Sequence, residues 1–241
     1  MNGSRASNEA LLEQLKAADV SGAGMVVFPP FPYLQQCADM VAGSGLRIGA
    51  QDLSEFESGA YTGDVSGGML VELGCGYVLV GHSERRTLHG EMSEEVARKA
   101  VSAHRAGMVP VVCVGETRAE RESGRTEAVI GSQVDVFLSV AGREVLASAV
   151  FAYEPVWAIG TGLTASPEQA QEVHAFIRAR VAALDAARAS TLQILYGGSV
   201  KGANAATLFA MPDVDGGLVG GASLVAKEFL EIHRAAALAS R

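Results

Sequence analysis

Phe151-Ala152-Tyr153-Glu154-Pro155-Val156-Trp157-Ala158-Ile159-Gly160-Thr161-Gly162 opens as an apolar run and reaches a single carboxylate. A run this short and apolar reads as a buried strand. Pro155 stops regular structure directly after Glu154. The segment that follows is apolar in the middle and closed by Gly-Thr-Gly, so both of its ends are punctuated. It reads either as a lid-like loop that packs down over something or as an ordinary surface connection after a strand, a choice that rests on the rest of the chain. Glu154 stands where the strand ends and this loop begins.

The same rhythm extends in both directions. Short apolar runs at 25–28, 47–50, 77–81, 109–114, 148–153, 192–196 and 215–219 read as seven strands. Helical patterns separate them. Ser7 can cap a first helix whose Leu11, Leu12, Leu15 and Ala18 share one face. Further helices are expected over 32–42, 68–73, 93–106 (with Glu94 and Glu95 in an acidic first turn), 125–140, 204–210 and 226–238. Ser166-Pro167-Glu168-Gln169 supplies a cap, a helix-starting proline and a capping-box partner, so a helix is expected from there to about Arg188. Continuously apolar strands separated by helices are parallel strands buried on both faces. On an α/β barrel of such strands, functional loops gather at the strand C-termini. The rival, an open doubly wound sheet, lacks support because no Gly-x-Gly-x-x-Gly turn follows the first strand. Residues 51–67 form a long, polar, glycine-rich loop, a length that marks a functional or interface element.

Composition narrows the function classes. The 241 residues suit one domain spanning 1–241, and 49% are apolar, enough for a sizeable core. The net charge of −8 argues against nucleic acid and anionic membranes as partners. An anionic substrate would have to bind through local backbone donors and helix N-termini. Cys37, Cys75 and Cys113 are scattered and odd in number, giving neither a disulfide framework nor a metal cluster. With no signal-like or membrane-spanning run, a cytoplasmic location is expected.

The chemistry collects at the strand ends. The 77–81 strand runs into Gly81-His82-Ser83-Glu84-Arg85-Arg86, placing His82 before a helical turn. The N-terminus of that turn is expected to depress the imidazole pKa and keep it neutral, so that it polarises a carbonyl by donation. Glu154 is a candidate general base that needs a lid to exclude water. Two glycine clusters, 196–199 and 216–223, follow the last two strands, a recurrent phosphate cradle on α/β barrels. With Gly160 from the lid they could wrap a phosphate. A base, a neutral electrophile, a lid and a phosphate cradle describe proton transfer on a small phosphorylated carbonyl compound.

Val80-Gly81-His82-Ser83-Glu84-Arg85-Arg86, Ala152 to Gly162, Tyr196-Gly197-Gly198-Ser199-Val200 and Gly217-Leu218-Val219-Gly220-Gly221-Ala222-Ser223-Leu224 together resemble the triosephosphate isomerase family along nearly the whole chain. The resemblance implies a TIM (β/α)8 barrel and a cofactor-free, metal-free aldose–ketose isomerase of glycolysis and gluconeogenesis. It would interconvert dihydroxyacetone phosphate and D-glyceraldehyde 3-phosphate through an enediolate. The resemblance also assigns residues. Glu154 would shuttle the proton and His82 would polarise the carbonyl oxygens. The backbone of Gly160, Ser199, Gly220 and Gly221 would hold the phosphate. Ser83, Glu84, Cys113 and Glu116 match supporting positions, with Glu116 bonding Trp157 while the lid is open. The 51–67 loop resembles one that inserts into a second subunit, implying a homodimer with Thr62 near the partner's site.

One departure stands out. The family's chain opens with a strand ending in Asn-x-Lys before a Met/Leu-Asn-Gly-like sequence, and here Met1-Asn2-Gly3 matches only the end of that motif. The expectation is a barrel with seven of its eight strands encoded and no catalytic lysine. Of the four lysines, Lys16, Lys99 and Lys227 fall in expected helices, and Lys201 follows the wrong loop to substitute. Glu84 would lose its usual partner. The alternatives are a truncated, catalytically impaired phosphate-binding barrel, or a barrel enzyme acting on a larger phosphorylated metabolite.

Overall fold

Successive residues of a strand face opposite sides of its sheet, so burial along each strand reveals what lies on either side. The computed structural model describes residues 1–159 and 164–239. Seven parallel strands run in sequential order: β1 Met25–Val27, β2 Leu46–Ala50, β3 Tyr77–Val80, β4 Val109–Val114, β5 Val150–Tyr153, β6 Ile194–Tyr196 and β7 Gly216–Gly217. They curl into a half-barrel with helices outside. β1 and β7 stand at the two ends of the order, and among the described residues neither has a strand on its outer edge. The closed eight-strand ring of the expected (β/α)8 barrel is therefore not formed by the described residues.

The helices are α1 Arg5–Lys16, α2 Leu34–Val41, α3 Gly67–Glu72, α4 Ser83–Leu88, α5 Ser93–Arg105, α6 Arg118–Glu122, α7 Thr126–Ser148, α8 Pro167–Ala182, α9 Ala186–Thr191, α10 Gly202–Phe209 and α11 Ala226–Ala239. Short 3-10 turns add Phe31–Tyr33, Val156–Ala158 and Gly221–Leu224. Among the described residues no helix is long and apolar enough to cross a membrane.

The main core lies between sheet and helices. It takes one parity of each strand: Val78 and Val80, Val112 and Val114, Phe151 and Tyr153, Ile194 and Tyr196. Phe151 meets Phe137 of α7 edge to face, with ring centroids 5.1 Å apart. Each such fully buried apolar side chain contributes on the order of 2 kcal/mol. The other parity, Leu79, Val111, Cys113, Val150 and Ala152, forms a smaller cluster inside the curl. Glu154 continues the parity of Val150 and Ala152, which sends it to the inner face at the mouth.

Several boundaries differ from the sequence reading. Ser4 caps α1, while Ser7 closes the capping box from the third helical position, and Ala18 lies beyond the helix. The single helix expected from 166 to about 188 breaks after Ala182, and Asp185 caps α9 by accepting from the Arg188 N–H. α7 continues past 140 to Ser148, across a non-helical Gly142. The last strand shrinks to two glycines. α6 was not expected, although Thr117-Arg118-Ala119-Glu120 carries a capping box that the structure forms.

Candidate active site

Gly81 turns the chain out of β3 with φ +69°, and a Cβ there would stand 2.6 Å from Val96, so only glycine fits. His82 then caps α4. Its Nδ1 accepts the Glu84 N–H at 3.3 Å, and its Nε2 lies 2.9 Å from Glu154 Oε1. One neutral tautomer satisfies both contacts, with Nδ1 bare and Nε2–H donating.

Glu154 is 2% exposed. Its Oε2 accepts the Ser83 N–H at 2.8 Å, and its Oε1 accepts the Ser83 hydroxyl at 3.3 Å. Its own N–H donates to Val114 O at 2.8 Å. Gly115 leaves the room this backbone needs, since a Cβ there would sit 1.9 Å from the Glu154 carbonyl oxygen. The structure thus brings His82, Ser83 and Glu154 into one contact group.

The pKa of His82 moves in the direction opposite to the expectation. Burial pulls its pKa down, but the hydrogen bond and charge of Glu154, helped by Glu84, outweigh that and leave it above the ordinary value. The expected depression by the helix N-terminus therefore does not prevail while Glu154 is in contact. The physical reason is proximity: a full carboxylate charge at 2.9 Å acts more strongly than the partial charge of a six-residue helix.

Glu116, fully buried, collects three donors on Oε1: Trp157 Nε1 at 3.0 Å, Tyr153 OH at 3.1 Å and Arg121 Nη1 at 3.1 Å. Arg121 also stacks its guanidinium over the Trp157 ring, 4.7 Å from the centroid. Cys113 lies on the inner face, where burial first and then the Glu154 charge push its thiol pKa far up, so it stays a thiol. Glu84 is exposed.

β6 and β7 follow β5 in the sheet, so the glycine clusters open on the same mouth. The half-buried Ser199 follows β6, and its carbonyl accepts from Asn204 Nδ2 at 3.0 Å. Gly220 and Gly221 are exposed, and a Cβ on either would meet nothing within 4 Å. Their backbone is open to a ligand. Gly160 lies outside the described residues. Thr62 is exposed on the 51–67 loop, where Phe56 and Tyr61 stack with centroids 4.0 Å apart.

Sequence reasoning missed three charged residues around this group. Besides Arg121, they are Arg86, whose partners are two backbone carbonyls and the Ser93 hydroxyl, and Lys99, buried against Asp52 at 2.9 Å and Glu91 at 2.5 Å. Arg85 also pairs with Asp52 and Glu91, which ties the base of the 51–67 loop to α4. Only the run of two arginines after Glu84 hinted at such anchoring.

A buried carboxylate and an imidazole sharing a hydrogen bond, at the mouth of a parallel α/β half-barrel with open glycine loops alongside, are groups of the kind that acid–base enzymes use. Comparison with known proteins narrows the class. A family profile described as triosephosphate isomerase matches residues 1–236. The triosephosphate isomerase of Thiobacillus denitrificans is 60% identical over 237 residues, covering 98% of this chain and 95% of that protein. That of Bordetella pertussis is 60% identical over 236 residues (98% and 94%), and that of Ralstonia nicotianae 57% over 235 (98% and 95%). The chain belongs to the triosephosphate isomerase family.

Proposed function

We propose that this chain interconverts dihydroxyacetone phosphate and D-glyceraldehyde 3-phosphate through an enediolate, with Glu154 moving the proton between the two carbons. The observation that supports this best is the His82–Glu154 contact at 2.9 Å, set in a chain about 60% identical to isomerases of that name. His82 donates from Nε2 to the substrate oxygens. To reach a substrate carbon, Glu154 exchanges its Ser83 and His82 contacts for the substrate. That move removes the larger influences that raise the His82 pKa, leaving burial and the Glu84 N–H to favour the neutral imidazole against the smaller pull of the Glu84 charge. The backbone of Ser199, Gly220 and Gly221, with Gly160 from the covering segment, holds the phosphate. The covering segment excludes water, which would otherwise allow the enediolate to lose its phosphate.

An additional strand ending in Asn-x-Lys would pair with the open edges of β1 and β7 and bring a lysine beside the phosphate. The four lysines of these 241 residues all lie elsewhere. The 51–67 loop, carrying Thr62 and the exposed Phe56–Tyr61 stack, docks on a second copy to give a homodimer.

Turnover of glyceraldehyde 3-phosphate in a coupled assay, beside binding of a phosphorylated enediolate-like analogue, tests the reading. Turnover that is lost in Glu154→Gln supports it. The absence of both turnover and analogue binding would overturn it.

A further inference from the structure

The ladder between β3 and β4 ends at Val80 opposite Val112. Beyond that point the strands part: the chain after Gly81 leaves for α4, while β4 continues beside β5 to Val114 opposite Tyr153. Where paired strands separate, the next carbonyl on each loses its ladder partner and needs another donor. One side chain supplies both. Arg86 Nε donates to Gly81 O at 2.8 Å and Nη2 donates to Cys113 O at 3.1 Å. Its Nη1 reaches Ser93 Oγ, at the start of α5, at 3.2 Å. A guanidinium suits this post because its donors lie in one plane at fixed angles, whereas an ammonium is a single point. Burial lowers the Arg86 pKa, and Glu154 and Glu91 oppose that through charge.

The two carbonyls lead directly to the reacting groups. Gly81 is covalently bonded to His82. Cys113 precedes Val114, whose carbonyl accepts the Glu154 N–H at 2.8 Å. Arg86 also shares with Ser83 and Glu154 the lining of a cavity of about 280 Å³. We propose that Arg86 is a positioning residue for the His82–Glu154 pair, bridging the carbonyls of Gly81 and Cys113 where β3 and β4 diverge and so fixing the separation of base and electrophile. It touches no reacting atom in this account. The inference rests on the function proposed above, and it explains why the sheet can split at the mouth without loosening the site.

The test compares the full chain with Arg86→Lys, which keeps the charge but not the fork, and Arg86→Met, which keeps neither. Both are expected to lower kcat about 10- to 100-fold, the cost of a misplacement near 1 Å, while KM stays within about 2-fold. KM is spared because Ser199, Gly220 and Gly221 lie in the loops after other strands, β6 and β7. Both should also move the imidazole ¹⁵N resonances of His82, which report the Nε2–Glu154 contact. A lower melting temperature with unchanged kcat and His82 resonances would make Arg86 merely structural and overturn the proposal. So would full kcat in Arg86→Lys. If Arg86→Met does not fold, Arg86→Lys carries the test. If the unsubstituted chain has no turnover, the proposed function is in question, yet the His82 resonances still decide the positioning role.

Discussion

At the scale of the residue, buried groups here are governed by how many partners they keep. His174 is fully buried on α8, with Nδ1 donating to Asp213 O at 3.1 Å and its ring edge-on to Tyr153. Burial drives its pKa down from 6.5 to about 4, with the Asp213 hydrogen bond pulling the other way. Between those two values the unfolded chain binds a proton that the folded chain refuses. Stability is therefore full above the unfolded value and falls as the pH drops through this window. At pH 4.5 the loss from this group is roughly 2–3 kcal/mol relative to neutral pH. Urea unfolding at pH 7.5 and 4.5 should show the unsubstituted chain losing that much more than His174→Gln, and equal losses would refute the assignment.

Glu116 gives a second residue-scale prediction. Trp157 is the only tryptophan in the sequence, so its fluorescence reports one place. Arg121→Met removes both the stacked cation and one of the donors on Glu116 Oε1. The Trp157 emission should shift in wavelength and intensity, and the change should resemble that of Glu116→Gln. An unaltered spectrum in Arg121→Met would mean that the stack does not hold the ring.

At the scale of the element, local signals and tertiary demands divide the chain. Ser166 accepts the Gln169 N–H, Gln169 Oε1 returns the bond to the Ser166 N–H, and Pro167 opens α8. Ser166→Ala should cost about 1 kcal/mol and lower the melting temperature by a few degrees. No loss would mean that tertiary packing alone sets this terminus. The start of α8 was legible because a capping box is written in four consecutive residues. Its end was not: Ala182-Ala183-Leu184 offers no breaker, and the stop comes from Asp185 capping the next helix. The helix expected over 125–140 ends too early, since helix resumes beyond the non-helical Gly142, where Val145 and Leu146 are buried. Most strands were legible since both faces are covered and their residues are largely apolar, though β2 carries the exposed Arg47 and β7 is two glycines. His82 and Glu154 were legible because each stands at a strand end, His82 just after Gly81 and Glu154 just before Pro155. Arg86 was not, because two of its three partners are backbone carbonyls, which every residue carries.

At the scale of the whole molecule, the seven-stranded order leaves the outer edges of β1 and β7 without a strand partner among the described residues. Unpaired edges expose rows of N–H and C=O groups and invite other strands. Phe28 after β1 and Leu218 after β7 both pack on the inner cluster, so a strand between them would find apolar neighbours. Joining ahead of Met1 a short apolar strand that ends in Asn-x-Lys is expected to raise the melting temperature by several degrees. Turnover should rise by about 10-fold or more, in line with placing one preorganised cation beside a developing oxyanion. A control strand ending in Asn-x-Met separates the two effects, because it can satisfy the edges but adds no charge. It should raise the melting temperature as much and turnover far less. No thermal gain from either strand would mean the edges are satisfied by other means. A thermal gain without faster turnover in the lysine version would mean that this charge is not what limits the His82–Glu154 site.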